Sequence, residues 1–335
     1  MDFNLTDDFT KAGIAFTQNE AIAPKTTFKV GGIVKFFITP ENVRELKNAI
    51  NILQSRNSNF FVLGGGSNVV FPDEDFECPV ISTEKLNSVY IEDSNNINSN
   101  NPTQTETNTA PDKVLVTCLA GTPMATFVNF CTKNNLSGAE AFAGLPGSIG
   151  DALFMNARCF DKSISDLLYS TQHLEYSNFP SEEKTDSEKA VKIVNAPFKA
   201  EEWDYKKSPF QNQNKIITQA TFLLTPKTPQ DHDEIEKSCK FYINERVSKG
   251  HFKYPSAGSV FKNNHAFGKP SGKIIDEAGL KGFTLGGAQI APFHGNFIIN
   301  INHAKASDIK QLVTYIKKVI SEKYGFNLET EIIFV

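Results

Sequence analysis

Four short runs combine side chains that do chemistry with glycines that let backbone approach a ligand. The run Leu63-Gly64-Gly65-Gly66-Ser67-Asn68-Val69-Val70 sets three glycines after a strand-like segment. Glycine tolerates positive φ and carries no Cβ, so successive N–H groups can converge on an anion such as a diphosphate, with Ser67 and Asn68 adding side-chain partners. It is neither a GxGxxG opening a helix nor a GxxxxGK[S/T] phosphate loop. A second run, Gly144-Leu145-Pro146-Gly147-Ser148-Ile149-Gly150, again clears room with small residues. Two such loops suit an extended dinucleotide, whose diphosphate and ring system both need support. In Tyr254-Pro255-Ser256-Ala257-Gly258-Ser259-Val260-Phe261-Lys262-Asn263 a serine on a glycine turn precedes a lysine and an asparagine. Its hydroxyl could donate a proton, whereas the absence of a GxSxG elbow leaves acyl transfer with little support. In Leu328-Glu329-Thr330-Glu331, strand alternation puts both carboxylates on one face, running on to Ile333 and Val335. A glutamate bordering an apolar surface is a candidate for desolvation and catalysis. Spacing alone does not choose between Glu329 and Glu331.

Elements to hold these runs are legible around them. Phe28 to Ile38 reads as a strand pair broken by Gly31 and Gly32, and Thr39-Pro40 as a cap and first-turn proline for a helix. Val43, Leu46, Ile50 and Leu53 then recur at the helical period, Asn57-Ser58-Asn59 ends the element, and Phe60 to Leu63 is the next strand. The stretches from Glu92 to Asp112 and from Asn178 to Lys189 are too polar to offset their own ordering entropy by burial, and read as surface insertions. A linker at Thr225-Pro226-Lys227-Thr228-Pro229 precedes a charged helix from about Gln230 to Ser248. Near the end, Ser307 is placed to cap a helix with the apolar stripe Ile309, Leu312, Val313, Ile316, Val319 and Ile320, Gly325 to stop it, and Phe326 to Val335 to form a terminal strand. Mixed helices and strands without a regular strand–helix repeat predict an α+β architecture. We expect three parts: 1–75, 76–226 and 227–335.

Composition narrows the function classes. The 335 residues carry a formal charge of −4, which leaves no basic excess for a nucleic-acid backbone. No apolar leader opens the chain and no 18-residue apolar run occurs, so neither a signal peptide nor a membrane span is expected, and the cytoplasm is the expected location. The five cysteines form no CxxC pair and the histidines no HExxH, so we expect free thiols and no protein-bound metal.

Taken in order, LGGGSNVVF, GLPGSIG, YPSAGSVFKN, GKIIDEAGLKGFTLGGAQI, GNFIIN and LETEI resemble the UDP-N-acetylenolpyruvoylglucosamine reductase family, from about Pro24 to Val335 without the two insertions. The resemblance implies an FAD-binding region of two subdomains, like that of vanillyl-alcohol-oxidase-type flavoenzymes, followed by a C-terminal substrate domain. YPSAGSVFKN running directly into GKIIDEAGLKG looks like the type without a substrate-capping tyrosine loop. The implied activity is UDP-N-acetylmuramate dehydrogenase: NADPH reduces FAD, UDP-N-acetylglucosamine enolpyruvate follows, C3 takes a hydride from flavin N5, and C2 takes a proton. Carried over residue by residue, Ser259 is the proton donor and Glu331 the acid that stabilises the enol. Gly64, Gly65, Gly66, Ser67, Asn68, Gly147, Ser148 and Gly150 hold FAD. Tyr205, Lys262, Asn263 and His294, the last with Asn296, line the substrate pocket. A monomer is expected.

The sequence departs from that family at three places. Tyr205-Lys206-Lys207-Ser208-Pro209-Phe210 stands where Tyr-Arg-x-Ser-x-Phe is usual and the arginine contacts the reacting carboxylate. Lys206 keeps the charge but not the bidentate fork, so looser orientation of the carboxylate is expected, with Lys206 in the catalytic set. Arg158 replaces a common glycine, and we expect it to supply the missing guanidinium. Asp151, also at a glycine position, changes the expected flavin contacts. The alternatives are another flavin oxidoreductase on the same fold, or a catalytically impaired flavin- or nucleotide-binding protein.

Overall fold

The structure is a computed structural model that describes residues 3–92, 113–177 and 191–335. Both polar insertions thus fall almost wholly outside the described residues. The chain divides into two compact units. One comprises Met1–Phe16, Ile38–Gly64 and Ile81–Ile243, the other Thr17–Phe37, Gly65–Val80 and Asn244–Val335.

The first unit is built on an antiparallel sheet in the order Lys192–Pro197, Leu168–Glu175, Lys215–Pro226, Val114–Leu119, Val89–Ile91, with Leu136–Ser137 pairing at the end of Lys215–Pro226. Its long central strand sets Phe222 opposite Val116 and Ala220 opposite Cys118. These residues are sealed by the helix Met124–Lys133, whose Phe127 ring lies 4.8 Å from that of Phe222. Mid-sheet polarity is satisfied internally, since the Thr117 and Thr221 hydroxyls are 2.7 Å apart. The helix Val43–Ser55 buries Leu46, Ala49, Ile50 and Leu53, as its period predicts. Its cap differs from expectation: Asn42, not Thr39, accepts the Glu45 N–H (2.9 Å).

The second unit packs the helix Ala306–Tyr324 on a small antiparallel sheet of Thr284–Leu285, Ala288–Ile290 and Ile298–Asn300. Ile309, Leu312, Ile316 and Ile320 are all at most 1 % exposed. Each such side chain taken from water contributes about 1.5–3 kcal/mol. Gly325, at φ 77°, ends the helix as expected. Ser307, however, lies inside its first turn. Asp73 does the capping, accepting the N–H groups of Ala306 (2.6 Å) and Ser307 (2.9 Å).

Two strand expectations contract. Only Ile33–Ile38 is a strand, because Lys29 (φ 58°) and Gly31 (φ 122°) turn the preceding segment so that Phe28 and Val30 enter the core. At the C-terminus only Ile333–Phe334 is a strand, parallel to Val69–Val70.

Candidate active site

The triple-glycine run turns between the strands Phe61–Leu63 and Val69–Val70. Gly66 sits at φ 64°, and a Cβ there would run into the carbonyl oxygen of Lys25 and lie 3.0 Å from the Thr26 Cα. Only glycine fits such an approach. Thr27 donates its N–H to the Gly66 carbonyl (3.0 Å), while its own buried hydroxyl lacks a protein partner. Buried hydroxyls are rarely left so, and one beside a backbone cradle fits a ligand rich in acceptor oxygens, as the diphosphate and ribityl chain of FAD are. The same loop is tied to the C-terminal segment: the Asn68 side-chain amide donates to the Glu331 carbonyl (3.0 Å), and Ile333 N–H to the Asn68 carbonyl (2.9 Å).

The second glycine run ends at the short helix Ile149–Phe154, and the backbone donors of residues 148–151 are already spent. Ser148 N–H goes to the Asp151 carboxylate (3.0 Å), Ile149 to Thr122 O (2.9 Å), Gly150 to Ala120 O (2.7 Å) and Asp151 to Ser148 Oγ (3.3 Å). Asp151 therefore closes a capping box with Ser148. Its carboxylate occupies the space that a Cβ on Gly64 would need. This loop offers a cofactor shape and close approach rather than a ring of free N–H groups.

Ser259 begins an extended segment held between two others. On one side it bridges Phe297, with Val260 N–H donating to Asn296 O (2.8 Å). Asn296 clamps the same segment through its amide, accepting Phe261 N–H (2.9 Å) and donating to Phe261 O (2.8 Å). On the other side Phe261 bridges Thr330, with Lys262 N–H donating to Glu329 O (2.9 Å) and Glu331 N–H to Val260 O (2.8 Å). That register sets Glu331 opposite Val260, the neighbour of Ser259.

Tertiary structure also separates the two glutamates that spacing left equal. The Glu329 side chain is 72 % exposed and pairs with Lys262 Nζ, whereas Glu331 is half-buried. Lys262 is thereby engaged, and Asn263 Oδ1 accepts Ser271 N–H (2.9 Å) at the start of the helix Ser271–Glu277.

His294 lies against Phe297, with ring centroids 4.4 Å apart, and its Nδ1 accepts Asn296 N–H (3.2 Å). Burial holds its pKa below the usual value, with Lys249 and Lys281 acting the same way against an opposing backbone hydrogen bond. His251, which the sequence did not single out, packs on the same Phe297 ring at 4.8 Å. Burial, then Arg246, His294 and Lys249, push it down to about 4. Two neutral imidazoles thus flank the ring of Phe297, whose backbone bridges Ser259.

Tyr205 and Lys206 form the tip of a tight turn in the first unit, where Lys207 N–H donates to Asp204 O (3.0 Å) and Lys206 takes φ 57°. Four hydrogen bonds pin it. Asn156 Nδ2 donates to Asp204 O (2.9 Å), Ser208 Oγ to Phe154 O (2.8 Å), and Gln211 Nε2 to Phe154 O (2.8 Å) and Lys206 O (3.1 Å). Nothing in the local sequence distinguished Gln211 or Asn156 for this role. The turn's conformation is strained for a non-glycine residue, and these bonds hold it.

Residues 34–171 match the family profile described as FAD binding domain. The chain is thus an oxidoreductase with an FAD-binding domain, the class that the glycine cradle and the serine–glutamate pair suit. Residues 250–335 match the C-terminal domain of UDP-N-acetylenolpyruvoylglucosamine reductase. The reductase of that name from Treponema denticola is 40 % identical, with 93 % of this chain and 91 % of that protein covered. That from Borreliella burgdorferi is 36 % identical, with coverages of 95 % and 94 %. The crystal structure of the Thermus caldophilus enzyme superposes with a TM-score of 0.67 at 27 % identity, over 96 % of this chain and 98 % of that one. The chain belongs to the UDP-N-acetylenolpyruvoylglucosamine reductase family.

Proposed function

We propose that this chain reduces UDP-N-acetylglucosamine enolpyruvate to UDP-N-acetylmuramate, a peptidoglycan precursor, with NADPH as the hydride donor. The observation that carries this reading is the double-sided clamp on the Ser259 segment, which fixes a hydroxyl one residue from the position facing Glu331. When bound, FAD supplies hydride transfer, held by the Gly64–Asn68 loop and the Thr27 hydroxyl, with Gly147, Ser148 and Gly150 giving close approach.

Reduction leaves negative charge on C2 and the neighbouring carboxylate, and C2 needs a proton. Ser259 Oγ–H donates it. A serine hydroxyl is a weak acid, so only a strongly basic carbanion can take its proton, and rigid placement supplies most of its effectiveness. Glu331, anchored at both its N–H and its carbonyl, stabilises the enol form. Lys206 is assigned to the substrate carboxylate and Tyr205 to substrate binding, and in the second unit Lys262, Asn263 and His294 are assigned to substrate binding as well.

NADPH oxidation by the purified yellow protein, followed with and without UDP-N-acetylglucosamine enolpyruvate, tests the assignment. Oxidation that depends on the sugar is the expected result. Equal slow oxidation in both would overturn the substrate and leave the fold.

A further inference from the structure

The Lys206 turn is bonded to a segment that presents a second cation. Downstream of Asn156, the pairs Arg158–Cys159 and Lys162–Ser163 form a hairpin with Arg158 opposite Ser163 and Cys159 opposite Lys162. Its two-residue tip, Phe160 (φ 48°) and Asp161 (φ 65°), adopts the both-positive turn that such hairpins favour, here without a glycine. Packing holds that strain, with the Phe160 ring 4.8 Å from Tyr242 and Ile164 N–H bonded to Ala157 O (2.9 Å). Arg158 is therefore displayed from a rigid element.

The bond from Asn156 Nδ2 to Asp204 O joins hairpin stem to turn. Arg158 and Lys206 each lie two residues beyond it, at most about 7 Å of chain. Long side chains from these positions can reach one small anion. Arg158 has a weak competitor: Asp161, at 3.3 Å, is 98 % exposed, and a pair so open to water is easily exchanged for a better-placed anion.

We propose that Arg158 binds the carboxylate of the substrate together with Lys206, its planar guanidinium giving the two-point contact that an ammonium lacks. This rests on the reading of Lys206 as a carboxylate contact. Equilibrium binding to the holoenzyme tests it without turnover, with UDP-N-acetylglucosamine enolpyruvate and UDP-N-acetylglucosamine as paired probes, because only the first carries the carboxylate. Arg158→Ala should weaken the enolpyruvyl ligand about tenfold or more and leave the other within about twofold. Arg158→Lys should recover part of the loss.

Equal weakening of both probes, or of neither, overturns the proposal, and full recovery by Arg158→Lys overturns the two-point contact. Lys206→Ala, measured alongside, keeps the two readings apart. If only that variant loses enolpyruvyl affinity, Arg158 has no role and the proposal falls; if only Arg158→Ala does, the reading of Lys206 falls and the shared contact with it, leaving Arg158 to hold the carboxylate alone.

Discussion

Asp73 offers a quantitative test of how the second unit is held. Its two carboxylate oxygens accept the first two N–H groups of the helix Ala306–Tyr324, the longest in the described residues. Losing an N-cap costs about 0.5–2 kcal/mol, and hydrogen bonds to a charged group fall at or above the top of that range. Asp73→Ala should therefore destabilise by about 2 kcal/mol. Asp73→Asn, which keeps one acceptor, should cost about 1 kcal/mol. At roughly 2–4 °C per kcal/mol, the alanine variant should melt about 4–8 °C lower near neutral pH, followed by circular dichroism or calorimetry.

The pH dependence makes this test specific. For Asp73, partial desolvation is the largest single influence and acts upward. The hydrogen bonds from Ser307 and Ala306, with the charge of Lys305, outweigh it and hold the folded pKa below the ordinary 3.8. A carboxylate lowered in the folded state stabilises above its unfolded value and loses that stabilisation as pH falls through the folded one. His251 acts in a different window. The unfolded chain takes up a proton near 6.5 that the folded chain refuses until about 4, so stability declines as pH falls between those values. Asp73→Asn should thus reduce the melting-temperature dependence only below about pH 3.8, where Glu175, Asp231, Glu236 and Glu277 still contribute, and leave the loss between 6.5 and 4 intact. A melting temperature for Asp73→Ala within about 1 °C of the parent, or an unchanged acid slope for Asp73→Asn, would refute the capping argument.

Other outcomes follow from the site. Ser259→Ala should lower turnover about 10²- to 10⁴-fold, the usual contribution of a placed proton donor, while NADPH still bleaches the flavin at the parent rate; slowed bleaching would mean damage beyond proton donation. Glu331→Gln should lower kcat by a comparable factor and Glu329→Gln by less than about twofold, because Glu329 is largely exposed and paired with Lys262; the reverse order would reassign the catalytic acid. Gly66→Ala sets a side chain at φ 64° against the Lys25 carbonyl, a strain of about 1–2 kcal/mol before the clash, so the purified protein should hold less flavin per chain. His251→Phe keeps a ring at that position without a proton to refuse, and should make the stability profile between pH 6.5 and 4 shallower, with His173 and His294 still contributing to its slope.

Local chemistry made much of this readable in advance. The helix over 43–55 and that over 306–324 followed from apolar residues at the helical period, a signal that needs no knowledge of the partner surface. The glycine runs announced positions that a Cβ would block, although only the structure shows what blocks them: Lys25 for Gly66, and Asp151 for Gly64. Caps were read less well. Thr39 and Ser307 have the right residue types, yet Asn42 lies nearer the first helix, and Asp73 reaches the second from more than 230 residues away in the chain. Local preference cannot weigh such a donor.

What the sequence by itself determined was therefore the α+β class and the glycine turns, and it supplied the candidate residues of the site, because each depends on side-chain chemistry and short-range spacing. Tertiary structure alone separated two equally spaced glutamates, leaving Glu329 exposed and paired with Lys262 and Glu331 half-buried. It alone spent the Ile149 and Gly150 N–H groups on Thr122 and Ala120, set His251 against Phe297, and bonded Asn156, before the Arg158 hairpin, to the Lys206 turn. Each of these outcomes depends on a partner distant in the chain, and a partner's identity is fixed only when burial and register bring the two segments together.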